Sequence, residues 1–165
     1  MKVITPVLID ELIARAAASD RRRTNHNVHE SPSDPIQRMF VAAMRDSYFR
    51  PHRHTAKREF AVVIRGQFDV LLFDDTGCVT RRISVGPGAE AVGFEIPPDT
   101  WHSWIPLADG SVFVEVKQGP YDTRTAADFA VWAPAEGTPH LGQFVETLRS
   151  ARVGDRVAQA PPTHR

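Results

Sequence analysis

A single cysteine, Cys78, stands among 165 residues, so no disulfide can form within the chain. It follows Asp74-Asp75-Thr76-Gly77, a hairpin tip, and nothing nearby suggests a nucleophile. An excess of charge of one sign is also missing: 20 basic residues offset 20 acidic ones, for a formal net charge of zero. This removes the electrostatic case for a nucleic-acid or membrane-surface partner. The run Arg21-Arg22-Arg23 is too short to restore it and reads as a solvated segment. No apolar run approaches the roughly 18 residues that a membrane span needs. Lys2 is not followed by an apolar stretch ending in small residues, so no signal peptide is expected and the expected location is the cytoplasm.

What is present suits a globular chain: 42% hydrophobic and 24% charged residues, at a length that supports one domain with a real core. Pro6 fits a first helical turn, and Leu8, Ile9, Leu12 and Ile13 recur at helical spacing over residues 6–19. Asp34-Pro35 reads as a cap and first turn of a second helix, from Pro35 to about Met44. From Tyr48 to Lys117 the pattern changes to short strands: Phe60–Arg65, Phe68–Phe73, Val79–Val85, Val92–Ile96, Trp101–Ile105 and Val112–Lys117. Gly66, Gly86-Pro87-Gly88 and Asp109-Gly110 punctuate them. So many short strands in so little chain suggest a closed sandwich or jelly roll. A last helix is expected from about Leu141, with Phe144, Val145 and Leu148 on one face. The expected layout is one domain over 1–165: an N-terminal extension over 1–45, a barrel over 46–118, a C-terminal extension over 119–155 and a disordered tail over 156–165.

The chemistry concentrates in Pro51-His52-Arg53-His54-Thr55-Ala56-Lys57-Arg58-Glu59. On an extended segment His52 and His54 point to the same side. Glu59 follows a turn, and Pro97-Pro98-Asp99-Thr100-Trp101-His102 brings a third imidazole. Three imidazoles and one carboxylate suit one divalent metal ion, Fe, Mn, Ni, Co or Zn, with coordination positions left for ligand or water.

This spacing resembles the two motifs of the cupins. The first, GxxxxxHxHxxxxExxxxxxG, matches except that Asp46 replaces the leading glycine. The second, GxxxxxPxGxxHxxxN, matches at Pro97 and His102, while Ala91, Asp99 and Pro106 replace the two glycines and the asparagine. The departures concern turn geometry, not ligation. The resemblance implies a mainly β fold, a cupin double-stranded β-helix or jelly-roll barrel, with short helices in the two extensions.

The parity that turns His52 and His54 inward also points Arg50 and Tyr48 inward. Arg50 would there bind a carboxylate or phosphate; the alternative is an arginine paired at the rim. Trp104 shares parity with His102 and is either a flat wall for a sugar or aromatic ligand or a packed core residue. Arg23, Asn25, Asn27 and His29 alternate and would form one polar face, solvated or aimed at a polar cavity. On the segment Val112–Lys117 the default puts the valines inside and Glu115 and Lys117 in solvent.

Along most of its length, about residues 23–136, the chain is similar to the WbuC-type cupin fold metalloproteins, a bacterial family linked to surface-polysaccharide gene clusters. The matching segments include Arg23-x-Asn25-x-Asn27-x-His29, Asp34-Pro35-x-Gln37-Arg38, Glu115-Val116-Lys117-x-Gly119-Pro120-Tyr121 and Trp132-Ala133-Pro134-x-Glu136. The resemblance implies that Asn25, Asn27, His29 and Lys117 approach the pocket. It supplies no reaction, and the cupin fold hosts many.

The leading expectation is a metal-dependent enzyme, isomerase- or epimerase-like, acting on a small polar metabolite such as a sugar or sugar phosphate. His29, Glu115 or Lys117 would serve as acid or base, and Tyr48, Arg50, Asn25, Asn27 and Trp104 would contact the ligand. The alternatives are an Fe(II)-dependent dioxygenase, a non-catalytic sugar-binding module and a metal-stabilised structural protein. The first 45 residues show no helix-turn-helix, which argues against a transcription factor. Because such barrels often pair through sheet edges, a homodimer is expected.

Overall fold

The computed structural model describes residues 1–158. Helix α1 (Pro6–Ala18) begins where Thr5 Oγ1 accepts a hydrogen bond from the Leu8 amide at 3.2 Å. Pro6 follows at the position where a missing amide proton costs nothing. The chain then forms β1 (Arg23–Asn27), β2 (Ile36–Ala43), β3 (His52–Arg53), β4 (Glu59–Arg65) and β5 (Phe68–Phe73). It continues through β6 (Val79–Val85), β7 (Gly93–Ile96), β8 (Trp101–Pro106), β9 (Ser111–Gln118), β10 (Asp128–Phe129) and α2 (Leu141–Ser150).

The strands make two five-stranded antiparallel sheets, ordered β1-β2-β9-β4-β7 and β10-β3-β8-β5-β6. Their inner faces meet around Val41, Val63, Phe68, Val85, Trp104 and Phe113. The outer faces are covered as well. Helix α1 lays Ile9, Leu12 and Ala16 on Ala42 and Val112 of the first sheet. Helix α2 and residues 130–133 bury Phe144, Leu148 and Trp132 against Leu71, Phe73 and Ile105 of the second.

The segment 35–44 is strand β2, not the expected helix. It pairs with β9 from Ile36↔Gln118 to Ala43↔Ser111 and with β1 on its other side. Because α1 buries its outer face, both faces of β2 carry apolar residues, and the alternation that marks a half-solvated strand is lost. The same cover explains β9. Val112 packs under α1, so Phe113, Glu115 and Lys117 face the barrel interior, the reverse of the default expectation.

Two turns position the site. Gly66, the closing glycine of the first motif, has φ +67°, and a Cβ there would run into Ser111 Oγ and lie 2.9 Å from Ser111 Cα. Asp99, where the second motif has glycine, keeps the left-handed conformation at φ 58°. Aspartate tolerates this, and the Asp99 amide donates to the His54 carbonyl at 3.0 Å. Of the tail expected over 156–165, residue Val157 is buried and Arg156 bridges to Cys78; residues 159–165 lie outside the described residues. No described helix is long and apolar enough to cross a membrane.

Candidate metal centre

His52 on β3 pairs directly across from His102 on β8, and their rings lie 4.3 Å apart between centroids. His54, two residues on, brings its ring to 5.0 Å from His52. His52 and His102 belong to one sheet, and His54 lies just past the end of β3. Glu59 opens β4 of the other sheet and reaches across the interior, its Oε2 2.8 Å from His54 Nε2 and 3.8 Å from His102 Nε2. The four ligand atoms all lie within 4.8 Å of one another. His102, Glu59 and His54 are buried, and half-buried His52 marks the accessible side.

Each imidazole is fixed by a backbone carbonyl. His52 Nδ1–H donates to Arg50 O at 2.9 Å, His54 Nδ1–H to Ala126 O at 2.6 Å and His102 Nδ1–H to Thr100 O at 2.9 Å. A carbonyl only accepts, so the Nδ1 atoms hold the protons and the Nε2 atoms present lone pairs. His54 Nε2 and His102 Nε2 are buried without a hydrogen-bond donor. The 2.8 Å approach of His54 Nε2 to Glu59 therefore sets a lone pair against a carboxylate, unless His54 is doubly protonated or a cation lies between them. Ligand-bearing Nε2 with a carbonyl-held Nδ1 is the usual arrangement of metal-binding histidines. The donor set and its orphaned nitrogens thus fit a metal ion.

Electrostatics agree. Burial, then the field of His102, holds His52 well below the usual histidine range, and burial lowers His102. Burial alone would raise Glu59, but its contact with His54 and the proximity of His102 and Lys117 outweigh it and hold the carboxyl below its ordinary value. For His52, His102 and Glu59 these shifts favour the metal-binding protonation state.

The centre opens into a cavity of ≈ 490 Å³ floored by Met39, Val41, Phe49 and Phe113, with Glu115 and Lys117 on its wall. Lys117 stands opposite Glu59 in the β4–β9 register and is ion-paired with Glu115. Burial and the field of Glu59 push the Glu115 carboxyl up. Burial would lower Lys117, but Glu115 and Glu59 hold it above its ordinary value. A second lobe of ≈ 260 Å³ adjoins the first at His52 and contains Arg50.

Several expected site residues lie elsewhere. Tyr48 is packed against Phe144, and its hydroxyl donates to Pro134 O at 3.0 Å, because residues 48–51 are not yet strand and parity fails there. His29 lies past the end of β1, where the Arg38 amide donates to its Nδ1 at 3.0 Å, so it lines neither lobe. Asn25, Asn27 and Arg23 do share the inward face of β1, but β1 is the sheet edge. Asn25 borders the cavity, whereas Asn27 is exposed at the rim and accepts from Asn25 Nδ2 at 2.6 Å. Trp104 backs the cavity without offering a free face: it is 2% exposed, with Phe113 stacked at 4.0 Å and Phe94 at 4.9 Å.

Most other residues of the site carried no single-residue signal. Arg21 and Arg23, expected in solvent, are clamped by Glu136, with Arg21 Nε at 2.7 Å and Arg23 Nη2 at 2.6 Å from its carboxylate. Arg22 pairs instead with Asp46, the residue in place of the motif glycine, at 3.0 Å. Phe129 of the two-residue strand β10 lies 6.0 Å from the His52 ring. Arg23 alone had a signal, as the first member of the alternating polar set.

A family model described as a domain of unknown function, DUF6016, matches residues 4–85. No curated protein matches the chain. Among solved structures, an uncharacterised protein with a double-stranded β-helix domain from Klebsiella pneumoniae is 16% identical, with a TM-score of 0.54, covering 79% of this chain and 97% of that one. A cupin 2 conserved barrel domain protein from Rhodopseudomonas palustris is 16% identical, with a TM-score of 0.50 and coverage of 78% and 74%. A variant of the oxalate decarboxylase of Bacillus subtilis is 21% identical, with a TM-score of 0.52, over 67% of this chain and 28% of that one. The chain has the cupin fold.

Proposed function

We propose that this chain is a metal-dependent enzyme that acts on a small polar metabolite, such as a sugar or sugar phosphate, in an isomerase- or epimerase-type reaction. The observation that carries the reading is the convergence of His52, His54, His102 and Glu59, with every imidazole Nδ1 held by a carbonyl and two Nε2 atoms buried without a donor. A divalent ion held there would act as a Lewis acid on a carbonyl or hydroxyl pair. The protein's own groups do the rest. Arg50 orients an anionic group, and the Glu115–Lys117 pair, on the wall beside Glu59, is placed to take and return a proton. The packed barrel behind Trp104 and Phe113 keeps bulk water from one side. The similarity to WbuC-type proteins supports a substrate from surface-polysaccharide metabolism.

The experiment is elemental analysis of the purified protein and of the double variant His52→Ala/His54→Ala, together with turnover of a panel of sugar phosphates followed by NMR. One metal per chain and turnover are expected in the parent protein, and neither in the variant. A variant that keeps one metal per chain would overturn the assignment of the site.

A further inference from the structure

The outer lobe of the cavity has an unusual charge inventory. Arg21, Arg23, Arg50 and Lys117 line it together with His52 and His54, and no carboxylate does. Three of the four cations have acidic partners outside the lobe: Arg21 and Arg23 share Glu136, and Lys117 has Glu115. Arg50 has none among the described residues. Its Nη2 donates to Ala130 O at 3.1 Å, while its Nε is buried with no hydrogen-bond partner. A half-buried guanidinium with an idle donor and no counter-ion is costly unless an anion arrives.

The two innermost arginines are also held alike. The Arg23 guanidinium lies over the Phe49 ring, 4.8 Å from its centroid, and Arg50 lies over Phe129 at 5.3 Å. Stacking restrains the plane of a guanidinium. Arg23 spends Nη2 on Glu136 and Nη1 on Arg21 O at 3.4 Å, and Arg50 spends Nη2 on Ala130 O, so neither has a whole fork free and the two together would have to share one carboxylate or phosphate. Arg23 is further fixed by Glu136, and its side chain is only 12% exposed. The lobe holds ≈ 260 Å³, the share of roughly nine water molecules at about 30 Å³ each. That is room for an anionic group and the carbons that carry it.

We propose that the outer lobe is an anion-receiving subsite in which Arg23 and Arg50, each stacked on an aromatic ring, jointly hold a terminal carboxylate or phosphate whose parent molecule reaches the metal ligands through its other end. The proposal rests on the metal-site reading and narrows it. The substrate carries an oxyanion a few atoms from its metal-facing oxygens, and neutral sugars are excluded. Glu136 is the positioning residue that keeps Arg23 in place.

The test is calorimetric titration of the metal-loaded protein, as purified, with inorganic phosphate and separately with malonate. Arg23→Gln and Arg50→Gln should each weaken the tighter-binding anion by about tenfold or more, with metal content unchanged. Arg23→Lys and Arg50→Lys should recover part of the loss, since they keep the charge but not the planar guanidinium. Arg22→Gln, whose partner is Asp46 away from the lobe, should bind as the parent does. Preference for phosphate identifies a phosphate ester, and preference for malonate a carboxylate. Parent-like binding by either glutamine variant, or no binding of both anions, overturns the paired subsite. Should Arg23→Gln fail to fold, the lysine variants carry the comparison, and parent-like binding by both of them removes the planar guanidinium from the account. Failure of the metal reading shows separately, as absence of metal from the parent protein, and phosphate binding to the arginines is still measurable then.

Discussion

His102 and Trp104 lie two residues apart on β8 with side chains on the same inward face, yet they end in opposite surroundings. Trp104 is enclosed by the aromatic rings of Phe68, Phe94 and Phe113. His102, fully buried, has one nitrogen on a backbone carbonyl and the other facing two imidazoles and a carboxylate with no donor. One strand thus crosses from a half of the barrel closed by packing to a half whose polar groups are only partly satisfied. Burial of apolar surface stabilises at about 25 cal/mol per Å², whereas a buried polar atom without a partner costs roughly 1–3 kcal/mol. The comparison teaches that the apolar half supplies the stability which the metal half spends.

The largest expected effect breaks the stable half. Phe68 is fully buried and touches both Trp104 and Phe113 edge-on. Phe68→Ala should lower the unfolding free energy by about 3–5 kcal/mol, measured by urea denaturation. Any metal that the parent binds should still bind to the folded variant, because none of the rings of His52, His54 and His102 pairs with Phe68. Metal loss at low denaturant would show that the two halves are not separable.

A smaller effect, of opposite sign, is expected at the other half. His102→Leu should abolish stoichiometric metal binding. The metal-free variant should nevertheless be as stable as the metal-free parent, or more stable by up to about 1–3 kcal/mol, since it removes a buried nitrogen lacking a donor. Denaturation of both proteins after chelation measures this. A loss as large as that of Phe68→Ala would erase the division.

The same contrast explains what the sequence shows. The cluster that could hold a metal is legible because strand parity and the motif spacing depend on backbone geometry alone: His52 and His54 share a side in any extended segment. The helical reading of 35–44 failed, and so did the outward placing of Glu115 and Lys117, for one reason. Helix α1 covers the outer face of the first sheet, so Phe40 and Val112 are apolar on the side where solvent was expected. Whether a strand's second face is covered depends on a distant segment, which local pattern does not reveal. The polar alternation from Arg23 to Asn27 did mark an inward face, but not where the sheet edge cuts it off. Phe129 and the Ala126 carbonyl reach the site through a segment with only two strand residues, too little to leave a periodic signal.

The smallest effect concerns the rim that joins the halves, where Glu136 of the C-terminal extension holds Arg21 and Arg23. Burial would raise the Glu136 carboxyl, but its hydrogen bonds to Arg21 and Arg23 prevail and keep it below the ordinary 4.5. A carboxylate depressed in the fold stays ionised to lower pH than in the unfolded chain. Between the two pKa values the unfolded chain binds more protons, so stability falls as pH falls. The contribution of Glu136 is therefore complete above about pH 4.5 and lost as pH drops through the folded value. Its size is limited by solvent, since the side chains of Arg21 and Glu136 are 60% and 33% exposed. After screening, at most about 1 kcal/mol is expected. Glu136→Gln should thus be slightly less stable than the parent at pH 7, with the difference shrinking by pH 3.5 and in high salt. Urea curves at the two pH values decide it: a difference that grows on acidification would show that the carboxylate is not held ionised by the two arginines.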